Sequence, residues 1–135
     1  MIDFNYETDF LLEDEDAYTR WLGAVISSEN KKEGDINYIF CDDEYLLEIN
    51  KQYLDHDTLT DIISFDYCVG NELHGDIFIS VERVRENAAD FDVPFEEELK
   101  RVLVHGILHY CGYKDKTDAD EEVMRQKENE KIALF

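Results

Sequence analysis

Cationic side chains are scarce in this sequence: 13 Lys and Arg stand against 34 Asp and Glu, for a formal net charge of −21. Such a chain repels a phosphate backbone at long range. That excludes the broad grip of a basic nucleic-acid binder and requires any nucleic acid to be met locally. Cysteine is scarce as well. Cys41, Cys68 and Cys111 are odd in number and form no CxxC pair, which excludes a disulfide framework and a cysteine-based zinc site and suits a reducing compartment. No stretch reaches the ~18 apolar residues of a membrane span, and the opening MIDFNYETDF lacks the basic and apolar regions of a secretory signal. The expectation is a cytoplasmic protein with no membrane partner. Pro94 is the only proline and no Gly- or Ser-rich stretch or repeat occurs, so no linker is expected and residues 1–135 read as one domain.

What is present is a core-forming composition, 44% hydrophobic and 13% aromatic, too apolar for a disordered chain. IDFNYE alternates at period two, DINYIFC reads as a second strand, and TDIISFDY and HGDIFIS are β-rich runs joined by CVGNEL, whose Gly70 and Asn71 suit a hairpin turn between antiparallel strands. Five helices are predicted. EDEDAYTRWLGAVISSENKK carries Ala17, Trp21, Leu22 and Val25 at helical spacing, and DDEYLLEINKQYL places Leu46, Ile49 and Tyr53 on one face. VERVRENAADF is short. PFEEELKRVLVHGILHYC is long, with Pro94 at its start, Glu96 to Glu98 answering the helix dipole and Gly112 as its terminator. TDADEEVMRQKENEKIALF begins at Thr117 as N-cap and reads as a mostly solvated helix, its DADEE run, like EDED, being a solvated helix end. The fold class expected is α+β: a small mixed β-sheet of about four strands covered by about five helices, with a metal site at the end of the long helix.

That site is read from VHGILHYCGYKD, residues 104 to 115. Residues i and i+4 of a helix project about 40° apart and ~6 Å along the axis, so His105 and His109 can present imidazoles to one point. A third ligand must come from beyond the helix, and Gly112 permits the turn that brings Asp115 back. The spacing is that of the metzincin motif H-E-x-x-H-x-x-G-x-x-H, with Gly106 where the motif has its glutamate and Asp115 where it has its third histidine. The missing glutamate is the general base of peptide hydrolysis, so a protease of that kind is excluded. Cys111 reads as a packed thiol, and His56 and His74 as surface histidines outside the metal set.

HGILHYCGYKDK followed by DEEVMRQKE resembles the carboxy-terminal signature HGxLHLxGYDH of the YbeY family. INKQYLDHDTLTDIISFD and HGDIFISVERVRENA resemble that family's two upstream blocks, so the likeness spans residues 49 to 128. It implies a metal-dependent endoribonuclease specific for single strands, acting in maturation of the small-subunit rRNA 3′ end and in ribosome quality control. The partners implied are single-stranded RNA and the small ribosomal subunit or its proteins; DNA is not expected. The cofactor implied is one Zn2+ on His105, His109 and Asp115. By the same resemblance Thr60, Asp61 and Ser64 border the substrate cleft. The sequence departs from the pattern at Asp115 (histidine in the family), Lys114 (aspartate) and Leu54 (arginine). Lys114 and Lys116 are candidates to supply the cationic charge lost at Leu54, with Arg83 and Arg85 next. A rival reading is a metal-stabilised ribosome-assembly module whose acidic surface recruits basic ribosomal proteins.

Overall fold

The computed structural model describes residues 1–55 and 59–135. Four strands and five helices follow in the order β1 (Ile2–Tyr6), α1 (Glu15–Ser28), β2 (Lys32–Cys41), α2 (Asp43–Leu54), β3 (Ile62–Asp66), β4 (Glu72–Ser80), α3 (Val81–Asp90), α4 (Phe95–Tyr110) and α5 (Asp118–Ile132). The sheet order is β1-β2-β4-β3. β1, β2 and β4 run parallel, and β3 returns antiparallel to β4. The α+β class and the mixed four-stranded sheet are as the sequence predicts. β2 starts three residues earlier than the DINYIFC run, and its register to β4 shifts between Glu33 and Ile36.

Period-two alternation divides the sheet into two unlike faces. Ile36, Tyr38 and Phe40 of β2 and Leu73, Ile77 and Ile79 of β4 join Trp21, Leu22, Val25, Leu103 and Ile107 in one core cluster. On the opposite face Cys41, Ile63, Leu46 and Ile49 form a smaller cluster under α2. Tyr53, expected on the buried face of α2, is 63% exposed, because only one edge of its ring meets Phe65 of β3, at 5.8 Å, and the rest lines an open groove.

Four of the five helices begin at a capping side chain. Asp14, Asp42, Ser80 and Thr117 accept from backbone N–H groups of the first turns of α1, α2, α3 and α5, satisfying donors that a helix leaves open. Pro94, φ −61°, precedes α4. Helix α4 is tied to the sheet at its middle and at its last residue. Tyr38 Oη donates to the Leu103 carbonyl at 2.7 Å, and Tyr110 Oη to the Phe65 carbonyl at 2.8 Å. The second bond needs Gly75, where a Cβ would collide with the Tyr110 hydroxyl and the Phe65 carbonyl. No helix among the described residues is long and apolar enough to cross a membrane.

Candidate metal centre

Helix α4 turns one face to the sheet and the other to α5. Gly106 lies on the sheet side: a Cβ there would sit 2.9 Å from Ile77 Cδ1. A glutamate at this position would therefore meet the core, which is why the metzincin base has no counterpart here. His105 and His109 lie on the α5 side, both half-buried.

The helix then ends abruptly. Gly112, at φ +105°, donates to the His109 carbonyl at 3.0 Å, and Tyr113 N–H to the Leu108 carbonyl at 3.1 Å, the paired bonds of a Schellman motif. The reversed chain serves the site twice. The Tyr113 carbonyl accepts from His109 Nδ1 at 3.0 Å, and two residues later Asp115 comes level with both histidines. The turn is pinned from behind. Tyr113 Oη donates to Glu29 Oε1 at 2.7 Å, and Glu29 Oε2 lies 2.8 Å from Nζ of Lys131, which is only 2% exposed. Burial pushes the Glu29 carboxyl up, but the bonds from Lys131 and Tyr113 and the lysine charges outweigh it and hold it below the ordinary carboxylate range.

Three donor atoms converge. His105 Nε2 and His109 Nε2 are 2.9 Å apart, and each lies 3.3 Å from Asp115 Oδ2. A tetrahedral zinc with bonds of about 2.0–2.1 Å sets its ligand atoms about 3.3–3.4 Å apart, so the three atoms fit three corners of such a centre. The remaining ring nitrogens explain the orientation: His105 Nδ1 faces Glu128 Oε2 at 2.7 Å and His109 Nδ1 the Tyr113 carbonyl. With both Nδ1–H groups donating, both Nε2 lone pairs point at one place. Two lone pairs and a carboxylate oxygen facing one another require a cation or a proton between them. These three residues are the group that could hold a metal ion among the described residues.

A cleft of about 400 Å³ opens beside this cluster, and Thr60, Asp61 and Ser64 line it. The structure thus brings together six of the eight residues expected at the site. Lys114 and Lys116 are exposed and outside the lining. Arg83 and Arg85 also lie away from it. Arg83 is held by Asp43 and Glu86, and Arg85 stacks on Phe95 at 5.4 Å. Leu54 ends α2 and does not line the cleft. His74 faces Glu72 at 2.7 Å and accepts from the Asp35 backbone. Cys111 packs half-buried against the core, its thiol pushed up to about 11 by burial. His56 lies outside the described residues.

Other residues of the cleft escaped the sequence reading. Glu98, expected as a solvated dipole partner, is 5% exposed. Burial raises its carboxyl above the ordinary value, Arg101 opposes that, and Asp61 and Glu128 add to it. Glu128 is also 5% exposed and bridges Arg101 and His105, so α5 is less solvated than its composition suggests. The available signal was spacing: Glu128 follows the buried Met124 by four, on the helix face that should be apolar. Burial raises the Asp61 carboxyl, with the His105 charge pulling the other way. For His105, burial disfavours the charged ring, yet the hydrogen bond and charge of Glu128, with Asp115 and Asp61, raise its pKa above the ordinary histidine value.

The sequence model of the family described as endoribonuclease YbeY matches residues 3–135. Endoribonuclease YbeY of Flavobacterium johnsoniae is 75% identical over the whole of this chain and 97% of its own length, and that of Flavobacterium psychrophilum 72% identical over the whole chain and 96% of its own. The Bacteroides fragilis protein of the same name is 53% identical over 86% of this chain and 84% of its own. Among solved structures, that of TM1509 from Thermotoga maritima superposes with a TM-score of 0.71 at 27% identity, covering 99% of this chain and 88% of that one. With its family blocks folded around one cluster of donor atoms, the chain belongs to the endoribonuclease YbeY family.

Proposed function

We propose that this protein is a metal-dependent endoribonuclease that hydrolyses phosphodiester bonds of single-stranded RNA, with Zn2+ held by His105, His109 and Asp115. The observation that carries the reading is the convergence of three donor atoms within 2.9–3.3 Å at an open cleft, both histidines having their other nitrogen engaged. Three protein ligands leave a tetrahedral ion one open position, the hallmark of a catalytic rather than a structural zinc site. When bound, the ion supplies Lewis acidity toward a phosphoryl oxygen and toward water. The chain's own residues do the positioning. Glu128 and the Tyr113 carbonyl fix the two ring orientations, and Thr60, Asp61 and Ser64 form a polar wall on which a strand can lie. The family likeness supports a place in maturation of the small-subunit rRNA 3′ end and in ribosome quality control, in the cytoplasm, with the small subunit or its proteins as partners. Residues 1–135 act in this reading as one metalloprotein domain.

The test is metal content together with cleavage of single-stranded RNA, duplex RNA and a DNA strand by wild type and His109→Ala. Cleavage confined to single-stranded RNA and lost with the metal in the variant is expected. A metal-replete wild type that leaves single-stranded RNA intact overturns the reading.

One observation favours a second reading, a metal-stabilised module that recruits basic ribosomal proteins. A groove of about 780 Å³ on the α2 face is lined by Asp42, Glu44, Glu48 and Asp76 and, among the described residues, by no Lys or Arg. Binding of a basic ribosomal protein by a chain that cannot cleave RNA would establish it.

A further inference from the structure

An unpaired strand of RNA offers two features to grip at each nucleotide, an anionic phosphate and the flat face of a base. The cleft beside the donor cluster has one residue suited to each. Its acidic lining, Asp61, Glu98, Asp115 and Glu128, opposes a phosphate, and the opposing cations on the lining are Arg101 and Arg125. Arg101 is committed: its guanidinium donates to Glu128 Oε1 at 3.1 Å and to Asn129 Oδ1 at 2.8 Å. Arg125 is not. It sits on α5 three residues before Glu128, is exposed, and has no hydrogen bond or ion pair among the described residues. The planar fork of a guanidinium matches phosphate oxygens two at a time.

Phe91, 58% exposed, lines the same cleft. It caps the end of α3, where its N–H donates to the Asn87 carbonyl at 2.9 Å and Val93 N–H to the Ala88 carbonyl at 3.0 Å. The backbone beneath the ring is thus fixed by a helix end. A single exposed phenylalanine is ordinary on any protein. One that shares a cleft with an uncommitted arginine and a metal-capable cluster has the composition of a single-strand site, an aromatic platform beside a cation.

We propose that Phe91 and Arg125 form a nucleotide subsite, the ring stacking on an unpaired base and the guanidinium holding the adjacent phosphate. The inference rests on the RNA reading above and supplies a reason for its strand preference. A base inside a duplex is stacked on both sides and has no free face for Phe91. Discrimination among bases is weak at such a site, because every base has a π-face.

The test uses the metal-loaded full chain, a short single-stranded RNA and the same RNA carrying abasic nucleotides, with affinity read by fluorescence anisotropy. Phe91→Ala weakens binding of the normal RNA by about tenfold and of the abasic RNA by less than about twofold, and Phe91→Trp restores it. Arg125→Ala weakens both RNAs by about tenfold and makes the slope of log affinity against log salt shallower by about 0.7, one phosphate contact. Metal content is unchanged in every variant. Equal losses on normal and abasic RNA overturn the stacking role of Phe91. If wild type binds and cleaves RNA and both alanine variants match it within twofold, the subsite is wrong and the nuclease stands. If the metal-loaded wild type neither binds nor cleaves RNA, the nuclease reading falls and the subsite with it.

Discussion

The two faces of the sheet carry opposite instructions. On the α4–α5 face a cleft mixes carboxylates with Arg101 and Arg125 around a cluster of nitrogen and oxygen donors; on the α2 face the larger groove is mainly acidic and aromatic, with no Lys or Arg in its described lining. The same contrast appears in their ion pairs. Behind the cleft, Lys131 is 2% exposed against Glu29 at 12%, whereas Lys51 and Glu48 on α2 stand 4.0 Å apart at 45% and 70%. In a chain of charge −21 the cations of the cleft thus stand on one side of the sheet, and the more deeply buried of these two ion pairs lies behind that side.

The largest expected effect strikes that buried pair. Glu29→Gln leaves the Lys131 ammonium without its buried anion and should cost about 2–4 kcal/mol of stability in denaturant unfolding. Glu48→Gln, at an exposed pair, should cost less than about 1 kcal/mol. Similar costs for the two would erase the distinction between the faces. The sign with pH follows. Because the folded Glu29 pKa lies below its unfolded value, its contribution is present above the unfolded carboxylate value and is lost as pH falls through the depressed one. The acid sensitivity of wild type should accordingly shrink in Glu29→Gln.

Next is Glu128→Gln, which removes the charge from the partner of His105 Nδ1 and should weaken metal affinity about 10–100-fold, read by chelator competition. A change confined to stability would make Glu128 a packing residue. Asp115→His should hold zinc equally or more tightly, within about tenfold, and raise activity, since a neutral imidazole leaves more positive charge on the ion than a carboxylate does. Lower zinc affinity in a folded Asp115→His protein would remove Asp115 from the ligand set. The smallest effect belongs to Lys114→Ala with Lys116→Ala. Both side chains are exposed beside the cleft and not in it, so RNA affinity should fall by no more than about threefold. A larger loss would move the phosphate path out over the turn.

Legibility in the sequence followed distance along the chain. The cap at Thr117, the glycine terminator at 112 and the convergence of His105, His109 and Asp115 all act within about ten residues, where helical periodicity and turn chemistry suffice. Glu128 meets His105 across 23 positions and Lys131 meets Ser28 across 103. No local pattern announces that α5 returns over α4, so both residues read as ordinary surface charges. Glu98 misled for a related reason: an acidic residue in a first turn usually answers the dipole, and only the closure of α5 and the Asp61 segment buries it. Tyr53 misled the other way, because what faces a helix is not written in that helix.

The Tyr113 carbonyl has a consequence for which changes of length the chain can tolerate. It accepts from the second histidine while standing two residues before the aspartate, so ring orientation and carboxylate position are set by one count of residues from Gly112. Inserting or deleting a single residue between 112 and 115 shifts Asp115 by roughly 3.3–3.6 Å of chain, more than the 3.3 Å that separates it from either nitrogen can absorb. The hairpin between Asp66 and Glu72 carries no such coupling and can vary in length. Insertions and deletions should thus be purged from the turn far more strictly than substitutions such as the one at Lys114, which alters charge but leaves the count intact.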